Sequence, residues 1–292
     1  MRLPAFAKIN LQLHVLGRRP DGYHELRTVF QALSLHDTLT LSSARRGGIQ
    51  LRSDDPSLPK GRENLVYRAI AAMRSELGVE VGIEAELEKR IPVGRGLGGG
   101  SSDAAAALAG MLRLTARQLP LARLVEVAAR LGADVPFFLF GGRALGVNRG
   151  DEIYPLPDLP RRSILVVSPR DIGVSTKEAY GWLSAELTKR ARPPNMWGFC
   201  ALCWSRQGQV ANDFEGPVFG RHPRLEEIRD GLLERGAAEA ALAGSGSAVF
   251  GVFRSPAQAR RAARVFPEDS VFVAETLSRE RYCRAFGWRP TA

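Results

Sequence analysis

The 292-residue sequence is long enough to bury one large core or two ordinary ones, and at 45% hydrophobic and 25% charged residues it has the balance of a folded globular protein rather than a disordered chain. Lys+Arg 41 against Asp+Glu 31 gives a net charge of +10, yet the basic residues come as short pairs such as Arg18-Arg19 and Arg260-Arg261, the pattern of a solvated surface rather than of a nucleic-acid-binding block. Three cysteines cannot build a disulfide framework, and no run is apolar and unbroken enough for a signal peptide or a membrane span, so the expected setting is a reducing, cytoplasmic one.

Ala5 to Leu16 reads as a strand with Ile9, Leu11, Leu13 and Val15 on one face, which puts Lys8 and Asn10 on the other. Pro20-Asp21-Gly22 is a turn signal, followed by Tyr23, His24 and a second strand from Leu26 to Leu35. Tyr23 and His24 suit a hairpin edge equally well as a pocket for a base, where a phenol ring stacks and an imidazole or backbone edge pairs. Thr38 to Arg52 reads as two short strands, and Glu63 to Leu77 as a helix.

Val81 to Leu87 alternates as a strand should and leads into Pro92-Val93-Gly94-Arg95-Gly96-Leu97-Gly98-Gly99-Gly100-Ser101-Ser102, then Asp103 and an alanine run. Glycine frees the backbone to turn its N–H groups toward a ligand, and the alanines favour helix. Ser101-Ser102-Asp103 are N-cap types, so the reading is strand, glycine loop, helix N-terminus, an arrangement that attracts phosphate. No lysine lies between Arg90 and Ser102, which excludes a Walker A loop. A dinucleotide reading through Gly94-x-Gly96-x-x-Gly99 lacks the acidic residue expected ~20 positions on, where Leu119-Pro120 stands. A plain surface turn is the bland alternative.

Thr115 to Leu131 reads as a further helix despite Pro120, with Gly132 as its C-terminal stop. Asp134 then precedes the apolar run Val135 to Phe140, which sets a carboxylate at a core edge, either as a helix cap or as a group of chemical interest. Arg143 to Asn148 and Asp151 to Leu156 form a hairpin, and the crowded prolines 155, 157 and 160 mark a domain boundary, giving domains 1–157 and 158–292. In the second half come a buried strand, Ile164 to Val167, and a helix from Ser175 that carries Tyr180. Pro193-Pro194, Trp197, Phe199 and Trp204 suggest a loop plus an apolar helical face in residues 191–209, and Cys200-x-x-Cys203 in that stretch reads as structural for want of further zinc ligands. A helix from Leu225 to Arg235 leads to a strand-turn-strand around Gly244-Ser245-Gly246, then a helix over 256–265 and a strand over 271–277.

These motifs together resemble a known family. Pro92 to Ser102 resembles the phosphate loop of the GHMP kinases, Ala7-Lys8-Ile9-Asn10-Leu11 their N-terminal strand, Gly132 to Phe138 their catalytic aspartate motif, and Gly244-Ser245-Gly246 their closing turn. Arg18 to His24 is similar to the cytidine-side motif that sets the diphosphocytidyl-methylerythritol branch apart from other members. The resemblance implies an α+β, two-domain fold with an N-terminal nucleotide-binding domain and a ferredoxin-like C-terminal domain. It implies ATP and Mg²⁺, and transfer of phosphate to the 2-hydroxyl of a cytidylated small-molecule substrate in isoprenoid precursor synthesis, with neither nucleic acid nor membrane as partner. It assigns Lys8 and Asp134 to catalysis, Pro92 to Ser102 to ATP, Asn10, Tyr23, His24 and Tyr180 to the substrate, and Gly244 to Gly246 to the phosphate side. Ser101 or Ser102 would be the hydroxyl ligand of the metal. Arg95 departs from the small neutral residue more usual in that loop. A homoserine or mevalonate kinase would keep the glycine loop without Arg18 to His24, and a basic nucleic-acid module would use the +10 charge without ATP turnover.

Overall fold

The computed structural model describes residues 1–44, 47–187 and 210–287. The first sheet is organised by two long antiparallel strands, β1 (Arg2–Arg18) and β2 (His24–Ala44). Further strands are β3 (Ile49–Ser53), β4 (Gly82–Glu88), β5 (Arg143–Asn148), β6 (Glu152–Pro155) and β8 (Ala211–Asn212), in the order β3-β4-β2-β1-β8, with β5 and β6 continuing from the other half of β2. Helices α1 (Leu65–Leu77), α2 (Gly99–Thr115), α3 (Leu121–Leu131) and α4 (Val135–Phe140) cover one face. Ala104 to Ala107 in α2 are all fully buried, because side chains this small let the helix lie close against the sheet.

The second half has its own sheet, β7 (Ser163–Ser168), β9 (Glu239–Leu242), β10 (Val249–Phe253) and β11 (Ser270–Glu275), antiparallel in the order β11-β7-β10-β9. Helices α5 (Thr176–Leu187), α6 (Glu215–Phe219) and α7 (Pro223–Glu234) lie between β7 and β9, and α8 (Pro256–Ala263) between β10 and β11. This is the ferredoxin-like arrangement. The two halves exchange elements: β8 pairs in parallel with β1, and α9 (Arg279–Phe286) folds back onto the first core through Tyr282, Cys283 and Phe286.

The structure corrects four local readings. Leu26 to Leu35 and the first strand expected after Thr38 are one continuous strand, β2, because β5 covers its first half and β4 its second. The helix expected from Thr115 is two pieces: α2 ends at Thr115, α3 starts at Leu121 just after Pro120, and Gly132 closes it in an extended conformation rather than a left-handed one. The glycine loop enters α2 at Gly99, so Ser101, Ser102 and Asp103 sit inside the helix instead of capping it. On β1, a register shift between Asn10 and Gln12 splits the expected apolar face. Ile9 and Leu11 pack with Leu97 and Phe250, whereas Leu13 and Val15 pack with Leu26 and Phe214. The segment 191–209, with Cys200 and Cys203, lies outside the described residues.

Candidate active site

Lys8 is 3% exposed, far from the solvated lysine that a lone strand position leads one to expect. Its Nζ donates to Asn10 Oδ1 at 2.7 Å, lies 3.3 Å from Asp134 Oδ2, and sits 5.6 Å above the Phe30 ring. Asn10 is fixed in turn, its Nδ2 donating to Thr28 Oγ1 at 2.7 Å while that hydroxyl donates to Gln12 O. The amide of Asn10 therefore has no freedom to flip, and its oxygen faces the lysine. Asp134 stands at the start of α4 but makes no capping bond; its side chain is 33% exposed and turns to Lys8 and the cleft. The capping alternative is thereby set aside. Tyr282 secures α4 by donating its hydroxyl to Phe138 O at 2.6 Å.

The glycine loop passes directly over this pair. Lys8 N donates to Leu97 O at 2.9 Å. Gly98 has φ 74°, and a Cβ there would lie 2.8 Å from the Phe138 ring and 3.0 Å from Lys8 Cγ. At Gly96, φ 79°, a Cβ would fall 1.8 Å from Ala243 O, so only glycine lets this loop touch the β9–β10 turn that contains Gly244, Ser245 and Gly246. Asn212 props that turn from below, donating to Leu242 O at 2.9 Å and Gly244 O at 2.7 Å. Ser102 is the first residue whose N–H enters the helix ladder, donating to Gly98 O at 2.9 Å, which leaves the N–H groups of Gly99, Gly100 and Ser101 for a ligand.

All this lines a cleft of about 1040 Å³. Of the residues singled out from sequence, Lys8, Asn10, Tyr23, His24, Pro92 to Ser101, Asp134, Tyr180, Gly244 and Ser245 reach its wall. Ser102, 1% exposed, and Gly246, directed at Leu242, do not. At the far end Arg149 covers one face of the half-exposed Tyr23 ring at 4.8 Å. His24 stacks on Tyr180 with ring centroids 4.6 Å apart, and its Nε2 is 2.8 Å from Ser184 Oγ. Tyr180 thus packs against His24 rather than standing free opposite Tyr23. Burial, and next the nearby Arg18 charge, hold His24 below the ordinary imidazole pKa.

Sequence reasoning missed a second lysine. Lys89, just past β4, contacts Asp103 Oδ2 at 2.8 Å and forms an ion pair with Asp37; all three side chains are buried. Asp37 also accepts from Ile91 N at 2.8 Å, so it braces the chain where it enters the glycine loop. Burial pushes Asp103 up to about 7, Lys89 opposing and Asp37 adding to the shift. Burial alone would lower Lys89, but its two carboxylates outweigh that and hold it raised. The absence of lysine inside the loop was legible; that one arrives from the preceding strand end was not, since its partners lie at positions 37 and 103. Arg149 was likewise missed, because it lies between the two strands of the 143–156 hairpin and its contact with Tyr23 is made across the fold.

Chemically, the cleft offers unbound N–H groups at a helix start, a buried ammonium and a half-open carboxylate in contact, and an aromatic pair beyond them. Among the described residues no group of three or more His, Cys, Asp or Glu could hold a metal ion, and no helix is long and apolar enough to cross a membrane.

Comparison with known proteins agrees with this geometry. Residues 64–142 match the model of the GHMP kinases N terminal domain and residues 196–270 that of the GHMP kinases C terminal domain. The chain is 46% identical over 295 aligned residues to the 4-diphosphocytidyl-2-C-methyl-D-erythritol kinase of Solibacter usitatus, covering 98% of this chain and 91% of that protein. It is 43% identical to the protein of the same name from Moorella thermoacetica, covering 95% of this chain and 99% of that protein. A crystal structure of 4-(cytidine 5'-diphospho)-2C-methyl-D-erythritol kinase superposes with TM-score 0.80 at 37% identity, covering 94% and 99% of the two chains. A homoserine kinase from Cytophaga hutchinsonii, at 19% identity and TM-score 0.69 over 95% of each chain, shares the fold. With both family domains matched in order and close relatives along nearly the whole chain, this protein belongs to the GHMP kinase family.

Proposed function

We propose that this protein is an ATP-dependent kinase that phosphorylates the 2-hydroxyl of 4-diphosphocytidyl-2-C-methyl-D-erythritol, giving the 2-phosphate and ADP in the methylerythritol phosphate route to isoprenoid precursors. The observation that supports it most is the position of the Lys8–Asp134 pair, on the cleft wall that the glycine loop and the Tyr23–His24 end share. The relatives' names point to the same substrate.

The free N–H groups of Gly99, Gly100 and Ser101 and the loop before them would hold the ATP phosphates, aided by the positive end of α2. Phosphoryl transfer is governed by positioning and by stabilising charge spread over the transferred group's oxygens. Asp134 orients the acceptor hydroxyl and receives its proton as the oxygen bonds to the γ-phosphorus and the bond to ADP breaks. Lys8, fixed by Asn10, holds Asp134 and supplies positive charge where oxygen charge develops. Asn10 also faces the erythritol part. Tyr23 keeps one ring face open for the cytosine, with His24, backed by Tyr180, beside it.

The donors at the loop fit a magnesium ion that arrives on the nucleotide. Ser101 lines the cleft and the Ser102 hydroxyl beside it is buried without a hydrogen-bond partner. Of the two, the Ser101 hydroxyl, which is on the cleft wall, would hold Mg²⁺, and the ion would supply charge neutralisation to the phosphates.

The test is ADP release with Mg-ATP and, in turn, 4-diphosphocytidyl-2-C-methyl-D-erythritol, free methylerythritol phosphate, homoserine and mevalonate. Turnover with the cytidylated alcohol alone is expected. Equal turnover with any of the others would overturn the substrate, and none with any of them would overturn the kinase reading.

A further inference from the structure

Arg95 is the one residue of the glycine loop whose side chain could reach the phosphates as a cation, yet it is already engaged elsewhere. Its Nη1 donates to Ser247 Oγ at 2.7 Å and its Nη2 to Arg170 O at 3.3 Å. Ser247 is fully buried and donates onward to Ile172 O at 2.6 Å. The main chain adds a parallel tie, Ala248 N donating to Arg95 O at 3.3 Å. Ser247 and Ala248 lie in the β9–β10 turn, Arg170 and Ile172 in the segment between β7 and α5, all in the second half of the chain.

We propose that Arg95 is a positioning residue: its guanidinium latches the glycine loop to the second sheet, so that the loop is held in its phosphate-binding shape before nucleotide arrives. This rests on the reading of the loop as the ATP site. The loop needs such a tie because Gly94, Gly96 and Gly98 all have positive φ, 68°, 79° and 74°, and glycine loses the most freedom when fixed. A planar fork that bonds a hydroxyl and a carbonyl at once suits the task, and lysine cannot reproduce it. If the loop is preordered only in part, apparent nucleotide affinity falls by the fraction that is competent. Once nucleotide is bound the loop is ordered regardless, so the loss appears in ATP affinity more than in turnover.

The neighbours separate this role from a direct phosphate contact. Ser247→Ala removes the anchor and leaves Arg95 its charge and reach. The experiment measures binding of a non-hydrolysable ATP analogue with Mg²⁺ by titration calorimetry, with thermal melting and steady-state kinetics, for wild type, Arg95→Ala, Arg95→Lys, Ser247→Ala and the Arg95→Ala/Ser247→Ala pair. The latch predicts roughly tenfold weaker analogue binding in each single variant and no further loss in the pair. It also predicts a raised KM for ATP, with kcat and the KM for the alcohol within about threefold of wild type. Ser247→Ala binding the analogue as wild type does, or Arg95→Lys restoring affinity, would overturn the latch in favour of a plain phosphate cation. A fall in melting temperature with all kinetic constants changed alike would overturn it in favour of a merely structural contact. Failure of the wild type to bind the analogue would instead strike the nucleotide reading itself.

Discussion

Two buried lysines, Lys8 and Lys89, line the same cleft, and their surroundings are opposite. Lys89 is saturated: two buried carboxylates, from β2 and from the N-terminal part of α2, hold it on either side. Lys8 has a neutral amide at 2.7 Å and one carboxylate at 3.3 Å, and that carboxylate is a third exposed. An ammonium clasped between two buried carboxylates is held rigidly and has no charge left to give a substrate, whereas a loosely matched pair open on one side can exchange a partner during reaction. The difference separates a brace from a working pair, although both read as Lys near Asp.

The largest expected effect is on the working pair. Asp134→Asn should lower kcat by roughly 10²–10⁴ with little change in KM, since the amide keeps the shape and loses the charge and the proton acceptor; steady-state ADP release measures it, and turnover near wild type would remove Asp134 from the reaction. The brace should respond in stability instead. Lys89→Met leaves Asp37 and Asp103 buried without their cation and should cost about 3–5 kcal/mol in denaturant unfolding. Lys8→Met should leave the unfolding midpoint nearly unchanged while abolishing most turnover, because Asp134 can be solvated. Were the two lysine variants to behave alike in both assays, the distinction would fail.

Smaller effects belong to the far end of the cleft. Tyr23→Ala should raise KM for the cytidylated substrate about tenfold, the worth of one stacked base, with KM for ATP unchanged. The pH dependence is smaller still. His24 lies below its ordinary value of 6.5, burial being the main cause, so it is neutral at pH 7 and protonates only as pH falls beneath that value. An imidazolium beside Arg18 would disfavour the neutral pairing edge, so substrate KM should rise a few-fold in acid, and this rise should vanish in His24→Gln.

Much of the site was legible because its signals are local. Lys8-x-Asn10 places two polar side chains on one strand face by period alone, and Gly94 to Ser102 announces a turn and a helix start through residue types that few other conformations favour. The limits were also physical. The capping role of Ser101 to Asp103 was misjudged because three positive-φ glycines let the helix start at Gly99. Tyr180 could be named as aromatic, but its stacking on His24 depends on how α5 crosses the end of β2.

The strand-loop-helix unit, the aspartate at the edge of its apolar run and the second small-residue turn could be read from the chain alone, because each is written in contiguous residues. It took the folded chain to show that β2 runs unbroken from His24 to Ala44, that Lys89 is clasped by residues 37 and 103, and that Arg95 is bound to Ser247. Those are pairings between positions far apart in the chain. Their energies depend on which surfaces meet and how far water is excluded from them, and no local pattern of residues encodes either.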